Sequence, residues 1–235
     1  MPPAGNNRQG SLKPSGAGWW FHNWGPASVI AGITDRTTQR QDFLAHAQAQ
    51  VVAEADQVHG ASTAAIDQSA APSVRVTGCD ALITGRPGVA LLARTADCLP
   101  VFFAHQKRAV VAVAHAGWRG LALNLPVRVL ADFWNLYRCP ADQVEVAIGP
   151  AIRACCYTVG PEFKKIFSVD MVARGGKLAC DLVAAATRQL MQAGVPKTQI
   201  LDTGLCTACG NERWYSLRCE GASTGRLTSL IMVKE

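Results

Sequence analysis

The sequence predicts a single α/β domain, and three observations carry that reading. At 235 residues the chain is long enough to bury one core of its own. Its 49% hydrophobic and 17% charged residues describe a folded chain rather than a disordered one. Short, nearly continuous apolar runs at 89–95 and 109–114 read as strands buried on both faces, and segments of helical spacing fall between such runs. The alternation lacks the regularity of a doubly wound sheet, and no internal repeat is present.

In chain order, residues 1–18 are rich in Gly, Pro, Asn and Ser and predict a flexible tail, leaving 19–235 as one catalytic domain. Trp19-Trp20-Phe21 opens the first strand. Residues 37–56, rich in Ala and Gln with Thr37 or Thr38 as a cap, predict a helix leading to a loop at His59. Residues 61–73 are small, polar and turn-prone, and 79–84 form a short strand stopped by Gly85 and Pro87. Residues 121–137 have helical spacing, with Pro126 as a bend or first-turn residue. A strand follows at 144–148, closed by Gly149-Pro150. Helices are expected at 161–167 and 181–193, the second stopped by Gly194. Residues 217–218 and 227–233 supply the last strand material.

Composition excludes several functions. Nine cysteines, an odd number at irregular spacing behind no signal peptide, indicate reduced thiols in the cytoplasm rather than a disulfide framework. No apolar stretch reaches transmembrane length, so no membrane partner is expected. The net charge of +6 is carried by scattered Lys and Arg, not by a basic stripe with interleaved aromatics. That distribution argues against nucleic acid and suits a small anionic substrate met by a few convergent arginines.

The chemistry centres on three residues. His59 in QVHG, Cys98 in TADCLP and His115 in AHAGWRG make a two-imidazole, one-thiolate set, which holds zinc while leaving a fourth position for water or substrate. Their separations match no compact zinc finger, so the ligands must come from separate elements onto one rim of a sheet. Gly117 and Gly120 free the backbone to turn after His115, and Pro100 does similar work after Cys98. Around this set, Asp97 is a candidate base or orienting group, although an aspartate in a turn is more often a local cap. Asp80 is a candidate contact to substrate or to a ligand's far nitrogen. Arg40, Arg119 and Arg226 are candidates for an anion, the last two beside glycines that permit close approach. Cys206 and Cys209 form a CxxC pair, read as structural because no second pair at matching spacing completes a four-cysteine site.

These segments resemble one family. QVHG at 57–60, CDALIT at 79–84, TADCLPV at 95–101, AHAGWRG at 114–120, IGPAI at 148–152, CYTVG at 156–160, LCT at 205–207 and TGR at 224–226 occur in the order of the YfiH-like laccase-domain proteins, also called polyphenol oxidases and regarded as purine nucleoside phosphorylases. The resemblance implies a four-layer α/β/β/α sandwich with mixed sheets. It implies a catalytic zinc on His59, Cys98 and His115, and a cytoplasmic enzyme that splits adenosine, guanosine or inosine with phosphate. Deamination of adenosine and cleavage of methylthioadenosine are further family activities. It places phosphate or nucleoside binding on Arg40, here preceded by Gln39 where the family has asparagine. Residues 19–35 and 214–219 depart from the family pattern, so reaction type carries over more safely than substrate identity.

Three other readings compete. Two histidines and a cysteine are also a blue-copper ligand set, but a four-copper oxidase needs roughly twice the imidazoles that five histidines supply. Copper is therefore the lesser cofactor. Alternatively Cys98 is a nucleophile with His115 as its base, in an amidase-type hydrolase acting on a cell-wall precursor. A non-enzymatic, metal-stabilised domain would need a fourth protein ligand, for which Cys79, Cys155 and Cys156 are candidates. The expected assembly is a monomer or weak homodimer.

Overall fold

The computed structural model describes residues 10–67 and 71–235. The chain runs β1 (Ser11–Pro14), β2 (Trp19–His22), β3 (Val29–Ile33), α1 (Arg40–Ala47), β4 (Val51–Ala55), β5 (Thr63–Ala65), β6 (Ser73–Val76) and β7 (Ala81–Thr84). It continues through β8 (Val89–Thr95), β9 (Leu99–His105), β10 (Val111–Ala116), α2 (Trp118–Ala122), α3 (Leu125–Tyr137), β11 (Val144–Ile148) and α4 (Lys164–Phe167). It closes with β12 (Met171–Arg174), β13 (Lys177–Cys180), α5 (Leu182–Gln192), β14 (Ile200–Asp202), α6 (Leu217–Glu220) and β15 (Leu227–Val233).

Two mixed sheets carry the fold of this single α/β domain. One has seven strands in the order β1-β2-β3-β15-β8-β4-β6, the other six in the order β14-β11-β9-β10-β7-β5, and β12-β13 is a separate hairpin. Side-chain alternation, with both faces of each strand covered, explains why the central strands are mostly apolar. Leu91 and Ala93 of β8 meet Leu82, Phe102, Val111 and Val113 between the sheets. From the opposite face of β8, Ala90 and Leu92 pack with Phe43 and Ala47 of α1. Similarly Val101, Phe103, Ala112 and Ala114 turn away from the inter-sheet layer to meet Val129, Leu130 and Phe133 of α3 and Ala186 and Leu190 of α5. Each fully buried Phe or Leu contributes roughly 1.5–3 kcal/mol, so a charge on either face of β8, β9 or β10 would be severe.

The strands expected at 89–95, 144–148 and 227–233 form with those bounds, and the helix at 181–193 forms as α5 with Asp181 accepting from the Ala184 N–H at 2.9 Å. Pro126 takes a first-turn position in α3. Other expectations are corrected. Of the predicted tail, residues 1–9 lie outside the described residues, but Ser11–Pro14 pairs antiparallel with β2, drawn in by Leu12 packing beside Trp19 and Trp214. The helix expected over 37–56 ends at Ala47, where Gln48 adopts φ 55°; Val51–Ala55 then pairs with β6 and β8. Sheet burial of Val51 and Ala53 there outweighs alanine's helical preference. Thr37 and Thr38 do not cap α1, because both bond to Asp35. Residues 217–218 are helical, with Ser216 capping through the Cys219 N–H. Pro100 is no turn residue: it lies inside β9 opposite His115, and the N–H it lacks falls past Ile148, the last residue of β11 to pair with β9.

Candidate metal centre

Cys98 lies where the chain crosses from one sheet to the other, since β8 and β9 belong to different sheets and only residues 96–98 join them. Asp97 in that crossover has φ 89°, a conformation unfavourable for any residue but glycine. It is held by three other segments at once. Its carboxylate accepts from the Thr207 hydroxyl at 2.6 Å and the Arg218 N–H at 2.7 Å, and its carbonyl accepts from the Ile152 N–H at 2.9 Å.

His115 is delivered by β10, and a single carboxylate ties it to His59. Asp80 Oδ1 lies 2.9 Å from His115 Nδ1 and also accepts the His59 N–H at 2.9 Å, while Oδ2 accepts the Gly60 N–H at 2.6 Å. The His59 loop is further braced by Gln57, whose side-chain amide exchanges two hydrogen bonds with the backbone of Arg94. Gln57 and His59 both take positive φ, 64° and 60°. Three left-handed non-glycine residues thus converge on the centre, the kind of strain that a site rather than a fold requires.

The donor atoms of His59, Cys98 and His115 all lie within 4.8 Å of one another. Bonds of zinc length would set them about 3.3–3.6 Å apart, within reach of small side-chain adjustments. The residues therefore fit a single ion, with Asp80 fixing His115 through Nδ1 so that Nε2 is the ligand. Among the described residues no fourth His, Cys, Asp or Glu joins the group. Of the candidate fourth ligands, Cys79 points to the Val76 carbonyl, and Cys155 and Cys156 gather elsewhere. Gly117 matters sterically rather than conformationally: a Cβ there would stand 3.0 Å from Cys98 Sγ and 3.4 Å from His59 Cδ2.

Electrostatics favour the ligating state of the thiol. Burial pushes the Cys98 thiol up, but hydrogen bonds and charge from His115 and His59 overcome it and bring the group down to about 7. For His115, burial is outweighed by its bonds to Asp80 and Cys98, which raise it to about 9.

A cavity of about 350 Å³ opens beside these residues, lined by His59, Cys98, Trp118, Arg119, Tyr157 and Arg218 among others. Arg119 stacks on Trp118 at 4.6 Å and Arg218 on Tyr157 at 5.0 Å, so two cations and two aromatic faces line it in pairs. Burial holds the Tyr157 phenol up at about 12, leaving it a proton donor at neutral pH.

Of the residues singled out in the sequence, the fold brings together His59, Cys98, His115, Asp80, Asp97 and Arg119. Asp80 is 1% exposed, bonds the segments that carry His59 and His115, and does not line the cavity. Asp97 lines the cavity with both carboxylate oxygens already occupied. Arg40 pairs with Glu54, and Arg226 donates to the Thr224 and Gly225 carbonyls; neither lines the cavity. The loop 153–157 after Gly149-Pro150 is one that the sequence allows to enter the site, and Tyr157 lines the cavity; Arg218 carries no sequence signal beyond the departure of 214–219 from the family pattern.

Residues 33–234 match the family described as multi-copper polyphenol oxidoreductase laccase. The chain is 32% identical over 195 residues to purine nucleoside phosphorylase YlmD of Geobacillus stearothermophilus, covering 77% of this chain and 71% of that protein. It is 35% identical over 189 residues to purine nucleoside phosphorylase PA4543 of Pseudomonas aeruginosa, covering 77% and 73%. Adenosine deaminase RL5, from an unknown prokaryotic organism, is 35% identical over 158 residues, covering 63% and 60%. The crystal structure of YlmD from Geobacillus stearothermophilus superposes with a TM-score of 0.84 at 28% identity, covering 96% of this chain and all of that one. The family match extends over all but the first 32 residues and the last, and with the relatives it shows that the chain belongs to the YfiH-like laccase-domain family.

Proposed function

We propose that this protein is a zinc-dependent purine nucleoside phosphorylase that cleaves adenosine, guanosine or inosine with phosphate, and that the same site deaminates adenosine. The observation that carries the reading is a His-Cys-His donor set opening onto a cavity that pairs arginines with aromatic faces. The names of its relatives, purine nucleoside phosphorylase and adenosine deaminase, support an enzyme of that class.

His59, Cys98 and His115 would hold the ion, which when bound acts as a Lewis acid toward an oxygen of phosphate, substrate or water. The remaining work falls to the chain. Arg119 and Arg218 supply the positive field that draws an anion into the cavity and neutralises it there. Trp118 and Tyr157 give a flat purine a surface to lie against, and the Tyr157 hydroxyl donates to a heteroatom of the base or sugar. Asp97 acts as a positioning residue, holding the crossover that carries Cys98 in register with the segment that carries Arg218.

A second reading has its own observation. Cys98, His115 and Asp80 form a thiol, imidazole, carboxylate series of the kind that activates a nucleophile. Placing a second imidazole, His59, on the same sulfur favours coordination instead. Elemental analysis and turnover of adenosine with and without phosphate decide. Zinc at this centre, base released only with phosphate and inosine as the deamination product fit the proposal. Full turnover by metal-free protein, abolished by alkylation of Cys98, would establish the nucleophile reading.

A further inference from the structure

The CxxC pair finds its complement in space rather than in sequence. After β11 the chain places adjacent Cys155 and Cys156 against the turn that holds Cys206 and Cys209, through a bridge between Ala151 and Cys206 and a Thr207 N–H bond to the Ala151 carbonyl at 3.1 Å. Cys155 Sγ stands 3.5 Å from Cys206 Sγ and 3.4 Å from Cys209 Sγ, and Cys156 Sγ stands 3.4 Å from Cys209 Sγ. All four sulfurs lie within 4.8 Å of one another, and all four thiols are free.

Those separations discriminate between chemistries. A disulfide needs sulfurs about 2.0 Å apart, well inside what is seen here. Four sulfurs bonded tetrahedrally to one zinc at about 2.3 Å stand about 3.8 Å from each other, a few tenths of an ångström beyond the three close pairs at 3.4–3.5 Å and inside the 4.8 Å that bounds all four. An iron–sulfur cluster, with several metals and bridging sulfides, needs a wider ring of thiolates. The Cys206 sulfur also accepts the Cys209 N–H at 3.5 Å, a backbone donor aimed at a thiolate within a CxxC turn. An opening bordered by Cys155, Cys206 and Cys209 gives an ion access.

We infer that Cys155, Cys156, Cys206 and Cys209 form a second, structural zinc site, separate from the His59, Cys98 and His115 centre. Each thiol gives its proton to solvent as its sulfur bonds the ion, and the closed four-sulfur set leaves no coordination position for substrate. The ion ties the loop bearing Ile152 and Tyr157 to the turn bearing Thr207, which grips Asp97, so it stiffens one wall of the cavity. This holds whatever reaction the neighbouring centre performs.

The test counts zinc per chain by native mass spectrometry and elemental analysis, on protein purified under reducing conditions without chelator. Wild type is expected to carry two zinc ions, Cys98→Ala one, Cys155→Ser/Cys209→Ser one, and the combined variant none. If the double serine variant does not fold, Cys98→Ala decides alone: its remaining zinc should be released as a mercurial reagent titrates four thiols. A wild type with one zinc that Cys98→Ala loses completely overturns the inference. So does mapping of Cys155, Cys156, Cys206 and Cys209 as disulfides in reduced, zinc-supplemented protein.

Discussion

The two cysteine-containing clusters are built on opposite plans. His59, Cys98 and His115 come from a strand, a crossover between sheets and a braced loop, with one buried carboxylate behind two of them and a cavity in front. Cys155, Cys156, Cys206 and Cys209 come from two surface loops and contribute sulfur alone. Three mixed donors with an oriented imidazole leave an ion free to meet a substrate; four thiolates saturate it. Within one chain the difference teaches that an ion's role follows from the count and kind of ligands and from what stands behind and before them.

The sharpest break of that contrast is Cys98→Ala. It should reduce nucleoside turnover to background and remove the ion of the first centre while the protein stays folded, as measured by product chromatography, metal analysis and circular dichroism. Retained turnover would refute the metal role of Cys98. Next in size is pH. Cys98, at about 7, and His115, at about 9, must both be deprotonated to bind an ion, so binding takes one proton from this pair between about pH 7 and 9 and two below about 7. Zinc affinity should then fall about tenfold per pH unit on going down from 9 and about a hundredfold per unit below 7, as read by competition with a chromophoric chelator in the Cys155→Ser/Cys209→Ser background.

Asp80→Asn keeps the shape but exchanges a carboxylate behind His115 for an amide. Zinc affinity at the first centre should drop by about 10–100-fold with the cysteine cluster unaffected, measured by the same competition. An equal loss at both sites would mean general unfolding rather than a lost orienting group. Smallest is Arg218→Ala, which removes a cation from the cavity but leaves the N–H that Asp97 uses. The KM for phosphate should rise about tenfold or more with zinc content unchanged, in line with the ~1.5–3 kcal/mol of a charged hydrogen bond. An unchanged KM would move the anion site to Arg119.

The sequence alone determined the apolar strands, because a strand covered on both faces is apolar at most positions on either face, and 89–95, 144–148 and 227–233 could be read directly. It also brought out the three candidate ligands that the fold gathers into one group, since imidazole and thiol in recognisable motifs carry their chemistry locally. Tertiary structure alone decided what depends on long-range pairing. Val51–Ala55 became a strand because two neighbours were there to pair with it, which no local alanine preference could report. Arg40 and Arg226 left the site and Arg218 entered it, because an arginine reads the same in sequence wherever it points. Cys155 and Cys156 joined Cys206 and Cys209 because a β-bridge brought two distant loops together, and sequence spacing carries no trace of a contact made fifty residues away.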